Sequence, residues 1–322
     1  MKTLVTGGSG FIGSSLVKRL VKHGHDVTVF DNFSRGSKSR LNGVLNDVNL
    51  VNGDIRNYDE VLKAVKSNEN IFHLAFINGT KFFYEKPKLV LDVGIRGALN
   101  TIEASLASSP RKYIIASSSE VYHKPSKIPT EESERALIPD VTNPRYSYGG
   151  GKLISELMTI NYFKDSKIQD CIFRPHNVFG PNMGFEHVIP DIMKKIFHET
   201  DKFKQKEIDL IIQGDGTDTR AFCYVEDAID QIMTIYNNGA KSNIYHVGMN
   251  NERSIKELII DIGKLLDIKI NIVAGEKPKG GTSRRCPSIK KVISLGYKNN
   301  DNYLSGLDKT VNWYKNYHSS IS

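Results

Sequence analysis

Short apolar runs alternate with segments of helical periodicity through the first half of this chain. Helical patterns cover residues 14–22, 58–65 and about 88–107, and another continues from Tyr148 through Tyr162. The apolar runs have the length and composition of buried strands and lie at 2–6, 26–30, 48–51, 71–75, 113–116 and 171–174. Strands that alternate with helices predict an α/β fold with a parallel, doubly wound sheet.

The pattern becomes less regular beyond residue 181. A helical stretch and a short apolar strand within 222–247 are expected to return to the first sheet. We therefore predict a Rossmann-like nucleotide-binding domain in residues 1–180 and a smaller C-terminal α/β substrate-binding lobe in residues 181–322. A chain of 322 residues is long enough for a domain with such a lobe.

The segment TGGSGFIG, from Thr6 to Gly13, joins the first predicted strand to the first predicted helix. Glycines let the backbone approach a pyrophosphate, and a helix N-terminus offers free N–H groups and the positive end of its dipole. A flexible surface turn would explain the glycines alone, but not the strand and helix on either side. The residues assigned to this dinucleotide-binding turn are Gly7, Gly10, Phe11, Ile12 and Gly13.

Asp31 follows the second predicted strand, close to the spacing at which an acidic residue binds the ribose hydroxyls of adenosine. Its charge would repel a 2′-phosphate, so we predict NAD, while nearby Arg35 leaves NADP open. Ligands of doubly wound sheets bind at the carboxyl ends of the strands. Other polar or small residues at predicted strand ends, which indicate one shared cleft, are Asp54, Ala75, Ser117–Ser119 and Arg174.

Tyr148 and Lys152 are four residues apart, so on a helix they share a face. The three glycines between them each weaken helix propensity by about 1 kcal/mol, so packing must hold this turn. To act as a base near neutrality, a tyrosine needs its pKa lowered by roughly 3 units, and a lysine ammonium with a cationic nicotinamide would supply that shift. Alone, the pair would also fit two solvated residues. With Ser118 at a strand end, it predicts hydride transfer between a sugar-like alcohol and a nicotinamide ring.

Composition narrows the remaining classes of function. The formal net charge of +8 would allow binding to nucleic acid or an acidic membrane surface. The basic residues are scattered, however, and no nucleic-acid motif accompanies them. Widely spaced Cys171, Cys223 and Cys286 predict neither a disulfide framework nor a zinc site. The sequence contains no apolar run of membrane-spanning length, and the first strand begins at residue 2, so we expect a cytoplasmic protein without a signal peptide or metal.

Motifs along nearly the whole chain resemble those of the extended short-chain dehydrogenase/reductase superfamily, in particular its nucleotide-sugar epimerase/dehydratase branch. They are TGGSGFIG, VFDNFSRG, GDIRN, HLA, SSSEVY, YGGGK, RPHNVFGP and GDGTDTRAFCYVEDA. The resemblance implies a nucleotide-diphosphate sugar substrate, a role in polysaccharide biosynthesis, and NAD that stays bound and is regenerated in each turnover. It also implies a homodimer in which the helix at 88–107 and the helix carrying Tyr148 pair with their copies across a two-fold axis.

The resemblance assigns roles to individual residues. Tyr148 would be the catalytic base, Lys152 its partner, and Ser118 the hydroxyl that stabilises the transferred proton. Beyond the glycine turn, Asp31, Tyr148 and Lys152, the implied cofactor contacts are Asn32, Asp54, Ile55, Leu74, Ala75 and Pro175. The implied substrate contacts are Thr80, Ser119, Asn177, Arg220 and Arg285, with Asn177 and Arg220 on the diphosphate.

Glu120 separates the possible reactions. It resembles the glutamate of sugar 4,6-dehydratases and nucleotide-glucuronate decarboxylases, where simple 4-epimerases usually have a small or neutral residue. A 4-keto sugar acidifies the proton on carbon 5, and a carboxylate can then remove it. We therefore favour a dehydratase that works through transient oxidation at carbon 4. A 4-epimerase, then a decarboxylase, a structural role for Glu120 and a non-catalytic NAD-binding sensor stay open.

Three positions depart from the pattern of the branch. Gly94 replaces a common asparagine, and His123 follows Tyr122 where glycine is usual. His176 within RPHNVFGP is atypical, and we expect it to be a packing histidine whose ring nitrogens are hydrogen-bonded. His187 lies where the predicted substrate region begins.

Overall fold

The computed structural model describes residues 1–276 and 282–320. Within these ranges the helices are α1 (Phe11–Lys22), α2 (Tyr58–Lys66), α3 (Thr80–Glu85), α4 (Pro87–Leu91), α5 (Gly97–Ser108), α6 (Ser147–Phe163), α7 (Val188–Glu199), α8 (Val225–Asn238), α9 (Ile255–Leu266), α10 (Lys290–Ser294) and α11 (Tyr303–Ser320). The strands are β1 (Lys2–Thr6), β2 (Asp26–Asp31), β3 (Val48–Asn52), β4 (Asn70–His73), β5 (Lys112–Ala116), β6 (Gln169–Pro175), β7 (Val178–Phe179), β8 (Glu207–Gln213), β9 (Thr219–Arg220), β10 (Cys223–Tyr224), β11 (Asn243–Val247), β12 (Arg253–Ser254), β13 (Lys269–Gly275) and β14 (Arg284–Arg285).

The central sheet has seven strands in the described chain, in the order β11-β6-β5-β4-β1-β2-β3. All neighbouring strands of this sheet run parallel. The strand order reverses beside β1, because β2 lies on one side of it and β4 on the other. Doubly wound sheets bind their ligands in the crevice at such a reversal. The predicted Rossmann-like α/β fold is confirmed.

Helices cover both faces of this sheet. Leu16 of α1 and Ile232 of α8 belong to one buried apolar cluster, and Val65 of α2 and Ile102 of α5 belong to a second. All four residues of β4 are buried, as expected of a parallel strand between two helical layers. The packed layers therefore fix the positions of the strand ends that form the site.

The helix predicted at about 88–107 is interrupted. Between α4 and α5 the chain forms a π-helical turn, Asp92–Arg96, with Gly94 at its centre. A Cβ added at Gly94 would lie 2.1 Å from Cζ of Phe76. The ring of Phe76 therefore occupies the space that a side chain at this position would need. Single π-helical turns often occur near functional sites.

The glycines of α6 are close to neighbouring segments. A Cβ at Gly149 would lie 2.9 Å from the Glu120 carbonyl oxygen, and one at Gly151 would lie 3.1 Å from Cζ of Phe76. Tertiary contacts that a larger residue would disturb thus hold the first turns of α6, which offsets the low helix propensity of glycine.

The C-terminal part of the chain adds smaller sheets. Strands β8 and β13 pair in parallel, and β8 alternates exposed and buried residues, as expected of a sheet covered on one face. Strand β9 lies between β12 and β14, which places Arg220 opposite Arg285. The division into a cofactor domain and a substrate lobe near residue 180 stays a prediction. None of the helices in residues 1–276 and 282–320 has the length and apolar character needed to cross a bilayer.

Candidate active site

The glycine turn follows β1 and leads directly into α1. Gly7 has a φ of +70°, and its N–H donates to the Phe30 carbonyl oxygen at 2.8 Å. A Cβ at Gly13 would lie 2.2 Å from the Gly7 carbonyl oxygen, so the turn can close only around glycine. Gly10 caps α1, and Phe11 and Ile12 form its first turn. The N-terminal N–H groups of α1 are thus presented at the strand reversal, as a pyrophosphate requires.

Asp31 is buried beside this turn. Its carboxylate accepts hydrogen bonds from the Ser9 N–H at 3.0 Å and the Phe33 N–H at 2.9 Å. Burial is the largest influence and raises the pKa of Asp31, while the two N–H donors act in the opposite direction. The buried Ser9 hydroxyl has no hydrogen-bond partner within the described residues. Unpaired buried polar atoms are rare, so this hydroxyl fits a bound polar ligand.

Arg35, which left NADP open in the sequence, has other partners. One guanidinium nitrogen lies 3.4 Å from Glu186, and the guanidinium carbon lies 4.5 Å from the ring centroid of Phe82. These contacts join the loop after β2 to α3 and to the segment before α7. The arrangement favours a free ribose hydroxyl beside Asp31 over a phosphate bound by Arg35.

The residues assigned to the adenosine end of the cofactor follow β3. Asp54 accepts hydrogen bonds from Arg56 at 3.0 and 2.6 Å and from Asn32 at 3.3 Å. The hydrogen bond from Arg56 lowers the pKa of Asp54 to about 2. Ile55 is buried, and its carbonyl accepts a hydrogen bond from Asn100 at 2.9 Å. A cavity of about 580 Å³ opens here between Asp54, Arg56, Asn57, Tyr58, Asp92 and Arg96.

Leu74 and Ala75 follow β4 and contact the glycine turn. The Leu74 N–H donates to the Thr6 carbonyl at 3.1 Å, and a Cβ at Gly7 would lie 2.8 Å from Cα of Ala75. Pro175 ends β6, and Thr80 begins α3. The cofactor and substrate contacts assigned to these residues stay predictions.

Tyr148 lies in the first turn of α6, enclosed by aromatic rings. Phe83 stacks on it at 5.0 Å between centroids, and Phe76 meets it edge-on at 5.1 Å. Burial raises the pKa of Tyr148, and the hydrogen bond with Ser118 lowers it only in part. In the protein chain by itself the pKa of Tyr148 is therefore raised, and the lowering expected from a lysine ammonium together with a cationic nicotinamide stays a prediction.

The protonation state of Lys152 limits how far this residue can lower the pKa of Tyr148. Its Nζ is buried and donates to the Ala116 carbonyl at 2.6 Å. Burial lowers the pKa of Lys152 to about 7, so much of the positive charge is lost near neutral pH. The remaining Nζ hydrogens can reach ribose hydroxyls, which fits a bound NAD. Ser118, Tyr148 and Lys152 are thus brought together at the end of β5, as predicted.

Glu120 lies in a helical turn, Ser119–Tyr122, that follows β5 and Ser118. Its carboxylate pairs with Arg285, and Nη2 of Arg145 lies 3.3 Å away. Burial raises the pKa of Glu120, but Arg285 and Arg145 together leave it below the usual value. This cluster of Glu120, Arg145 and Arg285 (the arginine cluster) is charged at neutral pH. Arg145 was missed in the sequence, because its pairing across 25 residues has no periodic pattern.

The assigned diphosphate residues lie nearby. Arg220 faces Arg285 across β9 and β14, and its pKa is lowered by burial and then by Arg285. Among residues 1–276 and 282–320, the hydrogen bonds of its Nη1 go to backbone carbonyls, that of Thr219 at 2.7 Å and that of Ser283 at 3.3 Å. Asn177 has a φ of +43°, and its buried Nδ2 has no partner among residues 1–276 and 282–320. Adjacent guanidinium groups and an unpaired amide suit a dianionic ligand.

Two sequence expectations need correction. His176 is buried against Tyr122 and His246, but its Nε2 has no hydrogen-bond partner in the described chain, so its ring nitrogens are not fully satisfied. Arg174, expected in the shared cleft, is buried and paired with Glu156. A position at the end of a strand indicates the edge of the sheet at which a residue lies, but not the partner that its side chain contacts.

A dinucleotide turn on a doubly wound sheet, with Ser118 after β5 and Tyr148 and Lys152 facing it from α6, is typical of Rossmann-fold enzymes that use a nicotinamide cofactor. The sequence model of the NAD dependent epimerase/dehydratase family matches residues 3–248. The chain belongs to this family, which confirms the predicted NAD cofactor and nucleotide-sugar enzyme class. Among residues 1–276 and 282–320, no group of three or more His, Cys, Asp or Glu side chains is arranged to hold a metal ion.

Individual relatives differ in their reactions. The chain is 30% identical to the UDP-N-acetyl-alpha-D-glucosaminuronate decarboxylase of Bacillus cytotoxicus, covering 98% of each chain. It is 31% identical to a putative UDP-glucose 4-epimerase of Methanocaldococcus jannaschii, covering 97% of this chain and 98% of that one. Epimerase Mth375 of Methanothermobacter thermautotrophicus shares the fold with a TM-score of 0.86 at 28% identity, over 99% of this chain and 94% of that one.

Proposed function

We propose that this protein decarboxylates a nucleotide-linked hexuronic acid through transient oxidation at carbon 4. The observation that carries the proposal is the arginine cluster beside Tyr148. Arg145 and Arg285 supply two guanidinium groups that can bind a sugar carboxylate. Glu120 holds both of them at the cleft while its own negative charge is neutralised.

The chemistry that follows needs few groups. NAD, when bound, accepts a hydride from carbon 4 and later returns it. Tyr148 takes the proton of the carbon-4 hydroxyl, and Ser118 hydrogen-bonds the same oxygen. The resulting 4-keto sugar is a β-keto acid, so the bond from carbon 5 to the carboxyl carbon breaks and its electrons pass to the carbon-4 carbonyl. Carbon 5 then takes a proton from water, the hydride returns to carbon 4 and Tyr148 returns the proton to the carbon-4 oxygen, so the products are CO₂ and a pentose-type nucleotide sugar.

A dehydratase, which the sequence favoured, would place different demands on this site. It needs a free carboxylate to remove the carbon-5 proton and an acid to protonate the departing hydroxyl. Both oxygens of Glu120 contact arginines, and the low pKa makes it a weaker base. Position 119 is serine, which does not supply an acidic proton. We therefore place decarboxylation before dehydration.

The Bacillus cytotoxicus relative, named as a decarboxylase, supports this choice over nearly the full length of both chains. A 4-epimerase is the second candidate, because the Methanocaldococcus jannaschii relative is as similar. Epimerisation would use Ser118, Tyr148 and Lys152 in the same way but would leave the arginine cluster without a sugar carboxylate to bind.

Mass spectrometry of reaction products tests the proposal. The protein would be incubated with NAD and, separately, UDP-glucuronic acid, UDP-N-acetylglucosaminuronic acid, UDP-glucose and dTDP-glucose, with Tyr148→Phe as the inactive control. We expect one of the two acids to lose CO₂. An epimer of unchanged mass from UDP-glucose, or loss of water from either neutral sugar, with both acids unchanged, would refute decarboxylation.

We also propose a homodimer in which α5 and α6 pack against their copies. Large apolar side chains exposed on these helices support it: Leu106, Ile154, Leu157 and Tyr162. Light scattering at micromolar concentration should give twice the chain mass, and Leu157→Glu should give a monomer. A monomeric parent protein would contradict this assembly.

For the nucleotide-sugar diphosphate we propose Asn177, just before the substrate lobe formed by residues 181–322, and Arg220 within that lobe. We propose the cytoplasm as the compartment, because Cys171, Cys223 and Cys286 are all buried free thiols.

A further inference from the structure

Lys152 has an aromatic neighbour that the chemistry above does not use. Its Nζ lies 4.0 Å from the ring centroid of Phe76, within the range of a cation–π contact. The same nitrogen donates to the Ala116 carbonyl at 2.6 Å. Phe76 also meets Tyr148 edge-on, with 86° between the ring planes. One ring therefore contacts both members of the catalytic pair.

The backbone is shaped around this ring. A Cβ at Gly94 would lie 2.1 Å from Cζ of Phe76, and one at Gly151 would lie 3.1 Å from the same atom. Gly94 lies in the π-helical turn and Gly151 lies in α6, so two separate elements leave room for the ring. A side chain at position 94 would require the ring of Phe76, or the π-helical turn itself, to shift.

The charged and titratable groups around Lys152 leave the ring an electrostatic role. Glu156, one turn along α6, favours the ammonium form, but its carboxylate is paired with Arg174. His73 on β4 is buried, and its pKa is lowered to about 3, so it is neutral at physiological pH. Tyr148 is neutral as well, because burial raises its pKa. The uncharged groups that favour the positive charge are the Ala116 carbonyl at 2.6 Å and the ring face of Phe76 at 4.0 Å, which is closer than the Tyr148 ring at 5.9 Å.

We propose that Phe76 is a positioning residue that holds the Lys152 ammonium beside Tyr148 and keeps it protonated, and that Gly94 and Gly151 are glycines because they admit this ring. The proposal rests on the family's tyrosine–lysine chemistry and does not depend on decarboxylation.

NMR titration of isotope-labelled lysine in the protein without added substrate tests this directly. Phe76→Met keeps an apolar side chain of similar length but removes the ring face. The matched control is Phe83→Met, because Phe83 also stacks on Tyr148 while the described cation–π contacts of Lys152 are with Phe76 and Tyr148. We expect the Lys152 midpoint to fall by about one pH unit in Phe76→Met and to stay in place in Phe83→Met. Equal midpoints in all three proteins would overturn the proposal.

Kinetics give a second test. A lysine that loses its proton earlier helps Tyr148 less, so the rising limb of kcat/KM against pH should move to higher pH in Phe76→Met. Gly94→Ala should displace the ring and move the limb in the same direction. In Phe76→Ala/Gly94→Ala the overlap is relieved, so thermal stability should recover relative to Gly94→Ala while the limb stays displaced. A limb at the parent position in folded Phe76→Met or Gly94→Ala would show that the ring only fills space.

Discussion

Two carboxylate–guanidinium pairs lie close to the same strand ends, and they differ in their contact with solvent. Glu156 and Arg174 are each 4% exposed, whereas Glu120 and Arg285 are 23% and 19% exposed. Arg174 donates to Glu156 at 2.8 and 2.5 Å, to the Tyr122 hydroxyl at 2.5 Å and to the Glu132 carbonyl at 3.2 Å. Its donors are committed to α6 and to the segment after β5.

The partly exposed pair has a second partner. Glu120 is shared between Arg285 and Arg145 on different segments, so a competing carboxylate can take one arginine while the other still neutralises Glu120. Removing one partner of a buried pair is strongly destabilising, because it leaves a buried charge alone. We therefore expect Glu156–Arg174 to contribute mainly to stability, whereas the role proposed for the arginine cluster is to bind the substrate.

The largest expected effect is at the buried pair. Glu156→Ala leaves Arg174 buried without its carboxylate and should lower the free energy of unfolding by about 3–5 kcal/mol. Chemical denaturation measures it, with exposed Glu103→Ala as the control. A loss no greater than that of the control would mean that the buried pair is not structural.

Arg285→Gln should have the opposite effect, with a large loss of turnover and a small loss of stability. Removing one guanidinium that binds developing or bound negative charge should lower turnover about 10²-fold. The free energy of unfolding should fall by less than in Glu156→Ala, because the pair is partly exposed and Arg145 still pairs with Glu120. Arg284→Gln is the control, because Arg284 is the adjacent residue but its guanidinium pairs with Glu252. Equal turnover of the two variants would remove Arg285 from the site.

Glu120→Gln distinguishes decarboxylation from a reaction that needs a general base at carbon 5. If CO₂ leaves with its bonding pair directed to the carbon-4 carbonyl, no carboxylate base is needed at carbon 5. The variant keeps one amide oxygen as an acceptor for one arginine and leaves the other guanidinium free for a sugar carboxylate, so we expect turnover to fall less than about tenfold. A loss of about 10² to 10⁴ with accumulation of reduced nicotinamide would instead identify Glu120 as a general base.

A further expected effect depends on pH and concerns Lys152, a buried cation whose acceptor is a carbonyl. Burial lowers its pKa from 10.5 to about 7, so between these values the unfolded chain binds more protons than the folded chain. The folded state is therefore penalised below neutral pH and gains stability as the pH rises. Denaturation of the parent protein should show this rise, and Lys152→Met should show a flatter profile. Identical pH profiles would contradict the burial of a titrating ammonium.

The residues of the candidate site differ in whether their contacts can be predicted from the sequence. The geometry of the turn at Gly7 and Gly13 could be predicted because a strand and a helix flank it in the sequence. The approach of Ser118, Tyr148 and Lys152 could be predicted because a helix repeat and a strand end place them. The contacts of Arg145 and Phe76 could not be predicted, because their partners come from distant segments and no periodicity marks such a contact. The burial that raises the pKa of Tyr148 comes with the rings of Phe76 and Phe83, which cannot be inferred from its own helix.

The contacts of Arg35 bear on redesign of coenzyme preference. A common route from NAD to NADP removes the acidic residue at the ribose and relies on a nearby arginine to bind the added phosphate. Here that arginine is already paired with Glu186 and packed on Phe82. Replacing Asp31 alone would therefore leave an added phosphate to compete with Glu186 for this arginine. Neutralising Glu186 as well should favour an engineered switch, which links coenzyme choice to the segment that precedes α7.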